Sequence, residues 1–267
     1  MLTESFIFLD GISDKTEQQI WSEGIKDWND FLNAPSIKTI SPQRKITYNL
    51  HLQKAHNNLK VDNIAYFSSI FPSTEHWRLF NRYKDEAAYL DIETSSYQGD
   101  ITVVGIYDST QVMTFVKGKN LDRNVLQETL NRYKLLITFN GSSFDLPMIK
   151  KYFNPKMDQA HIDLRHVCAR LGMTGGLKQI EKSIGITRPE IVKEMDGGDA
   201  ALLWRMYKAT GNEKYLQVLV QYNEEDIVNL ERLAKQTIPE LWKKVRYREK
   251  QEFTGDQVEN SPSNVQL

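Results

Sequence analysis

The 267-residue chain carries 34 Lys and Arg against 35 Asp and Glu, a formal net charge of −1, with 40% hydrophobic and 26% charged residues. That balance is ordinary for a folded domain, leaves room for one large core or a small module plus a larger one, and argues against holding nucleic acid by bulk charge. No apolar run approaches the roughly 20 residues of a membrane helix, the opening MLTESFIFLDGIS lacks the marks of a signal peptide, and a lone Cys168 permits no internal disulfide, so a cytoplasmic protein without a membrane partner is expected.

Residues 1–85 read as a helical module. Ser13 can N-cap a helix running to Glu23, with Gly24 as its stop. A short second helix carries Trp28, Phe31 and Leu32 ahead of Pro35, and further helices are predicted over 43–59 and 63–83. The stretch 6–34 is similar to a helix-hairpin-helix, whose turn offers backbone N–H groups to a phosphate. Here that turn is Gly11-Ile12-Ser13, without the second glycine, so a plain packing module is the competing reading. The acid-free run 31–61 (Lys38, Arg44, Lys45, Lys54, Lys60) and the run 243–250 are either a local basic track or solvated helix faces.

The rhythm changes at Ala87. Residues 88–94, 101–107 and 112–116 form a predicted strand meander. A helix over 121–133 leads into the apolar run Leu135–Phe139, a buried strand, and a helix then begins near Phe144. A short fifth strand at 162–164, helices near 164–171, 176–184 and 199–210, and a long helix over 214–235 complete a mixed sheet flanked by helices. Residues 86–240 are thus one α/β domain. The segment 241–267 reads as a basic stretch with a polar, disordered tail.

Three short segments concentrate acids among apolar residues: YLDIET (89–94), FNGSSFDLP (139–147) and YNEED (222–226). An ionised carboxylate in such a setting needs a positive partner. Asp91 and Glu93 are two apart on a strand and share a face, with Leu90 and Ile92 facing the other way. Two solvated acids on an edge strand would give the same spacing. Asp145 opens a helix beyond a strand end, where open α/β sheets place ligands, although a helix-dipole acid also fits. Gly141 is the turn residue expected to tolerate positive φ. Tyr222 and Asp226 share one helix face, the apolar one. His161 and His166 have no ligand spacing with the lone Cys168 and read as structural. Asp163 is either an N-cap or a residue behind the site.

In this order and context, the segments resemble the tyrosine branch of the DEDD 3′–5′ exonuclease superfamily, with its ribonuclease-H-like fold. HIDLRHVC, GGLKQIEKSIGITR and GGDAALLWRMY are similar to the YprB-like predicted exonucleases within it, and the resemblance covers about 87–236. It implies a ribonuclease-H-like mixed five-stranded sheet and two Mg²⁺ or Mn²⁺ ions held by Asp91, Glu93, Asp145 and Asp226. It also implies a hydroxyl of Tyr222 that orients the attacking water, and a groove for a single-stranded 3′ end lined by Thr94, Asn140 and Phe144. Many relatives have His at the position of Tyr222. A catalytically silent nucleic-acid-binding scaffold and a structure-specific endonuclease are the alternatives.

Overall fold

The computed structural model describes residues 1–96 and 99–247. The chain opens with α1 (Asp14–Ser22), α2 (Trp28–Asn33), α3 (Pro42–Lys60) and α4 (Ile64–Ile70), each begun by a side-chain cap: Ser13, Asp27, Ser41 and Asn63. The single helix expected over 63–83 is broken. Pro72 forces Phe71 into extended backbone (ψ 139°), and a 3₁₀ segment, Ser73–Leu79, then runs into α5 (Phe80–Tyr83).

There follow β1 (Ala87–Thr94), β2 (Ile101–Tyr107), β3 (Val112–Val116), α6 (Arg123–Leu130), β4 (Leu135–Thr138), α7 (Asp145–Phe153) and β5 (Ala160–Asp163). The end of the described chain holds α8 (Leu164–Arg170), α9 (Leu177–Ser183), α10 (Glu190–Lys193), α11 (Gly197–Thr210) and α12 (Glu213–Arg246). The strands form one mixed sheet in the order β3-β2-β1-β4-β5. The β1–β2 and β2–β3 pairs are antiparallel, while β1–β4 and β4–β5 are parallel. This is the five-stranded, helix-flanked sheet expected from the strand meander and the later strand–helix alternation. β1 is its central strand, which rules out the edge-strand reading of Asp91 and Glu93.

The period-two pattern of β1 divides the core. Ala88, Leu90 and Ile92 pack with Val104, Ile106 and Leu136 against α6 and α7, through Leu126, Leu130 and Ile149. Ala87 and Tyr89 face the other way, into a cluster with Leu135, Ile137, Leu230 and Leu233. That same cluster contains Phe6, Trp28, Phe31, Leu52 and Phe67, so the N-terminal helices and the sheet share one continuous hydrophobic core.

The long helix α12 exceeds its predicted end at Lys235 by eleven residues and runs through Pro239. An interior proline costs a helix about 3 kcal/mol. Packing offsets it: Ile238 and Leu241 are buried, Trp242 meets Trp21 edge-on at 5.8 Å, and the Gln18 side chain donates to the Val245 carbonyl. The described part of the 241–267 segment is therefore the end of a helix. Its bases are engaged within the chain: Lys243 pairs with Glu240, Lys244 donates to the Arg170 carbonyl, and Arg246 lies over the Trp21 ring. The expected polar tail lies outside the described residues.

The glycine turn of the N-terminal module is sealed in the same way. Arg44 Nη2 and the Tyr48 hydroxyl both donate to the Asp10 carbonyl, and a side chain at Gly11 (φ +69°) would collide with Arg44. Lys45 is also turned inward, donating to the Phe31 carbonyl and Asn49, and Lys54 lies over the Tyr66 ring.

Candidate metal centre

Four elements converge beside the C-terminal half of β1. Strand β1 presents Asp91 and Glu93 on the face covered by α12, and α12 presents Tyr222 and Asp226, four residues apart, back at them. Asp91, Glu93 and Asp226 each place a carboxylate oxygen within 4.8 Å of the others. Among the described residues this is the one group of three or more His, Cys, Asp or Glu side chains close enough to hold a metal ion. A register shift between Glu93 and Thr94 ends regular pairing with β2 at the site, a device that re-aims side chains.

Asp145 is not part of that group of three. As the first residue of α7, it accepts the Ile92 N–H at 3.0 Å, which fastens the helix to β1 between the two β1 acids. Thr94, Asn140, Phe144, Asp145, Tyr222 and Asp226 line one cleft of about 560 Å³ with Asp91 and Glu93. Arg205 of α11, an exposed base without a signal in the sequence, lines it too.

The turn before α7 corrects one expectation. The left-handed residue is Asn140 (φ 64°), not Gly141. Gly141 serves close packing instead, because a Cβ there would run into the Thr138 side chain. Asp163 secures the turn: its Oδ1 accepts Asn140 N–H (2.7 Å), and its Oδ2 accepts Ser142 N–H (3.1 Å) and Oγ (2.5 Å). It also caps α8 through Arg165 N–H, so the N-cap and the supporting role coexist in one carboxylate. These hydrogen bonds hold Asp163 below the usual Asp range although burial opposes them. His161 bonds Thr138 Oγ1 at 2.9 Å, and burial pushes its pKa down to about 4, which fits a neutral structural imidazole.

Asn223 escaped the sequence reading. It is fully buried, and its Nδ2 donates to Asp91 Oδ2 at 2.9 Å. The space it needs comes from β2, where Gly105 pairs with Asp91 and a Cβ would collide with the Asn223 amide. A glycine inside a buried strand was the available signal for such close approach. Gly105→Ala is expected to cost about 1–3 kcal/mol by overpacking and to weaken divalent-ion binding, which chemical denaturation and calorimetry would check.

The electrostatics call for a cation. Burial is the main cause that raises Asp91 and Glu93 well above the usual range, followed by repulsion from Asp145 and Asp226. Burial pushes Asp145 up to about 7 against its backbone hydrogen bonds, and Asp226 up to about 6 against the charge of Arg188. These acids bind protons more tightly folded than unfolded, so they withdraw stability as pH rises from about 4 through 7. In the metal-free protein these acids favour pH 5 over pH 8, against His161, which is neutral when folded and favours the higher pH. Asp145→Asn should therefore raise the melting temperature at pH 8 relative to that at pH 5, by a few °C. Scanning calorimetry in chelator checks this, and Mn²⁺ should flatten the difference.

The donor set fits a hard divalent ion such as Mg²⁺ or Mn²⁺: three carboxylates, no thiol or imidazole. Asp226 Oδ1 has no aligned hydrogen-bond donor, and its near neighbour is Arg188 Nη1 at 2.5 Å.

Two solved structures are similar to parts of this chain. A family B DNA polymerase from the archaeon Pyrobaculum calidifontis matches 57% of this chain at 14% identity and a TM-score of 0.47. Escherichia coli RNase D, an exoribonuclease involved in structured RNA processing, matches 65% at 17% identity and a TM-score of 0.39. The matches span 24% and 48% of those two chains. No curated protein matches. The RNase_H superfamily model matches residues 88–238, more than half of the sequence and all of the sheet but its first residue. With the mixed five-stranded sheet and the carboxylate group at its centre, the chain belongs to the RNase_H superfamily.

Proposed function

We propose that this chain is a divalent-metal-dependent 3′–5′ exonuclease of the DEDD tyrosine branch, of the YprB-like kind, acting on single-stranded DNA or RNA ends. The observation that carries the reading is the Asp91–Glu93–Asp226 group lying open to a cleft shared with Asp145 and Tyr222. Asp91, Glu93 and Asp226 would hold one ion, and Asp145, with Asp91, would serve a second. Bound ions would supply charge stabilisation to both the attacking and leaving oxygens of a phosphodiester displacement.

The chain's own side chains have separable tasks in this reading. Burial, then the nearby Asp226, Glu93 and Asp91, raise the Tyr222 hydroxyl far above its usual range. It therefore stays protonated and orients water by hydrogen bonding, without acting as a base. Asn223 would hold the Asp91 carboxylate in place. Phe144 offers an apolar wall for a terminal base, and the exposed Arg205 a contact for the phosphate backbone.

End-labelled DNA and RNA single strands with Mg²⁺ or Mn²⁺ test the reading. Stepwise shortening from the 3′ end, release of nucleoside 5′-monophosphates and loss of both in Asp226→Asn are expected. Tyr222→Phe should lose less activity than Asp226→Asn, and equal losses would remove the role given to Tyr222. No shortening of any strand would sink the exonuclease assignment, while cleavage of a circular substrate would mark an endonuclease.

A further inference from the structure

Arg188 is a buried cation (side chain 4% exposed) in the segment between α9 and α10, and the acid chemistry above leaves it without a task. Its Nε and Nη2 donate to the two oxygens of Glu181, at 2.6 and 2.7 Å. This pair is bidentate and nearly solvent-free. The third nitrogen, Nη1, reaches past Glu181 to within 2.5 Å of Asp226 Oδ1. That second contact is a close ion pair without hydrogen-bond alignment, since neither atom has an aligned partner.

A purely architectural arginine would be neutralised by Glu181 alone, with α9 tied to its own following segment. Here the positive end of the Arg188–Glu181 pair is aimed at one of the three carboxylates that converge to hold an ion. Arg188 also lies 5.9 Å from the Tyr222 ring, with Lys178 over the same ring at 4.8 Å. Two cations thus border the Asp226 side of the acid group.

We propose that Arg188 is a built-in competitor for the divalent ion at Asp226. Its guanidinium holds the carboxylate in position when the ion is absent, and the ion binds only as Asp226 is shared with or released by Arg188. Glu181 sets the strength of that competition by drawing the guanidinium away. This rests on the metal-dependent reading above and adds a residue pair that tunes ion affinity.

The test is Mn²⁺ binding to the full chain, followed by calorimetry and by the electron paramagnetic resonance signal of free Mn²⁺. Glu181→Leu/Arg188→Met removes the pair while keeping apolar volume, an exchange that buried ion pairs often tolerate. It should bind Mn²⁺ on the order of tenfold more tightly: the net charge is unchanged, but the guanidinium that contacts Asp226 is gone. Glu181→Gln alone frees Arg188 to turn wholly to Asp226 and should bind Mn²⁺ more weakly, by a similar factor. A merely structural role would shift both variants in the same direction or neither, and either result overturns the proposal. If the double variant does not fold, Glu181→Gln decides: affinity equal to or above that of the unaltered chain overturns it. Absence of Mn²⁺ binding by the unaltered chain would refute the metal-dependent reading itself, and this inference with it.

Discussion

Asp91→Asn should abolish both divalent-ion binding and hydrolysis while raising the melting temperature of the metal-free protein. Asp91 stands at the centre of the acid group, and Asp145, Asp226 and Glu93 all repel its ionised form. Asn223 favours its charge, through one hydrogen bond to Oδ2. Asn at this position still offers a carbonyl oxygen to Asn223, so the neighbouring packing is kept. What is lost is the charge that burial and repulsion disfavour. Removing it should stabilise the metal-free fold by about 1–2 kcal/mol, or a melting temperature some 2–8 °C higher. Activity should fall by at least about 100-fold, since even supports behind metal ligands are worth 10–100-fold. Melting curves in chelator and in Mn²⁺ make the decisive comparison. The unaltered chain should gain from Mn²⁺ and the variant should not. A variant that melts lower in chelator would show that Asp91 is structural.

Arg78→Leu should produce the largest loss of stability from a single substitution. Arg78 is fully buried in the 3₁₀ segment before β1 and touches no part of the cleft. Its Nε pairs with Glu75 at 2.6 Å, its Nη2 with Glu17 at 2.9 Å, and its Nη1 donates to Ser5 Oγ and to Glu17. Glu17 in turn accepts the Phe6 and Ile7 N–H groups, so one guanidinium ties α1 and the N-terminal loop to the chain entering the sheet. Burial already holds Glu17 above the usual carboxylate range, with the charge of Arg78 opposing it. Without Arg78 a buried carboxylate is left unpaired, which costs about 3–5 kcal/mol, or roughly 10 °C in melting temperature. The deficit should shrink toward pH 4, where protonation relieves Glu17. Urea denaturation at pH 7.5 and at pH 4.5 would check both parts. A loss below about 1 kcal/mol at neutral pH would mean that N-terminal docking rests on apolar contact alone.

The sheet was legible because its strands are locally written. β2 and β3 match their expected ranges, since apolar runs bounded by polar turns need no distant partner to be recognised. Helix ends were legible where a cap residue announced them, as Ser13 does for α1 and Asp163 for α8. The errors fall where a distant contact outweighs local preference. Helix α12 continues past Pro239 because Trp21 and Gln18 of the N-terminal module grip its end. The left-handed turn residue is Asn140 because Asp163 holds its N–H and Gly141 is needed against Thr138. The break at Pro72 is different: proline's restriction on Phe71 is local and written in the sequence.

By itself the sequence determined that Asp91 and Glu93 share a strand face and that Tyr222 and Asp226 share a helix face. Those are consequences of periods two and 3.6, set within a few residues. Only the tertiary structure decided that the two faces meet, and which groups wait there. Asn223 reaches Asp91 across 132 positions of sequence, Gly105 leaves it room, and Arg188 arrives at Asp226 from the segment after α9. No periodicity encodes such meetings. They follow from how elements dock once the apolar faces are buried, and buried polar groups are then obliged to find partners among whatever the docking has brought near.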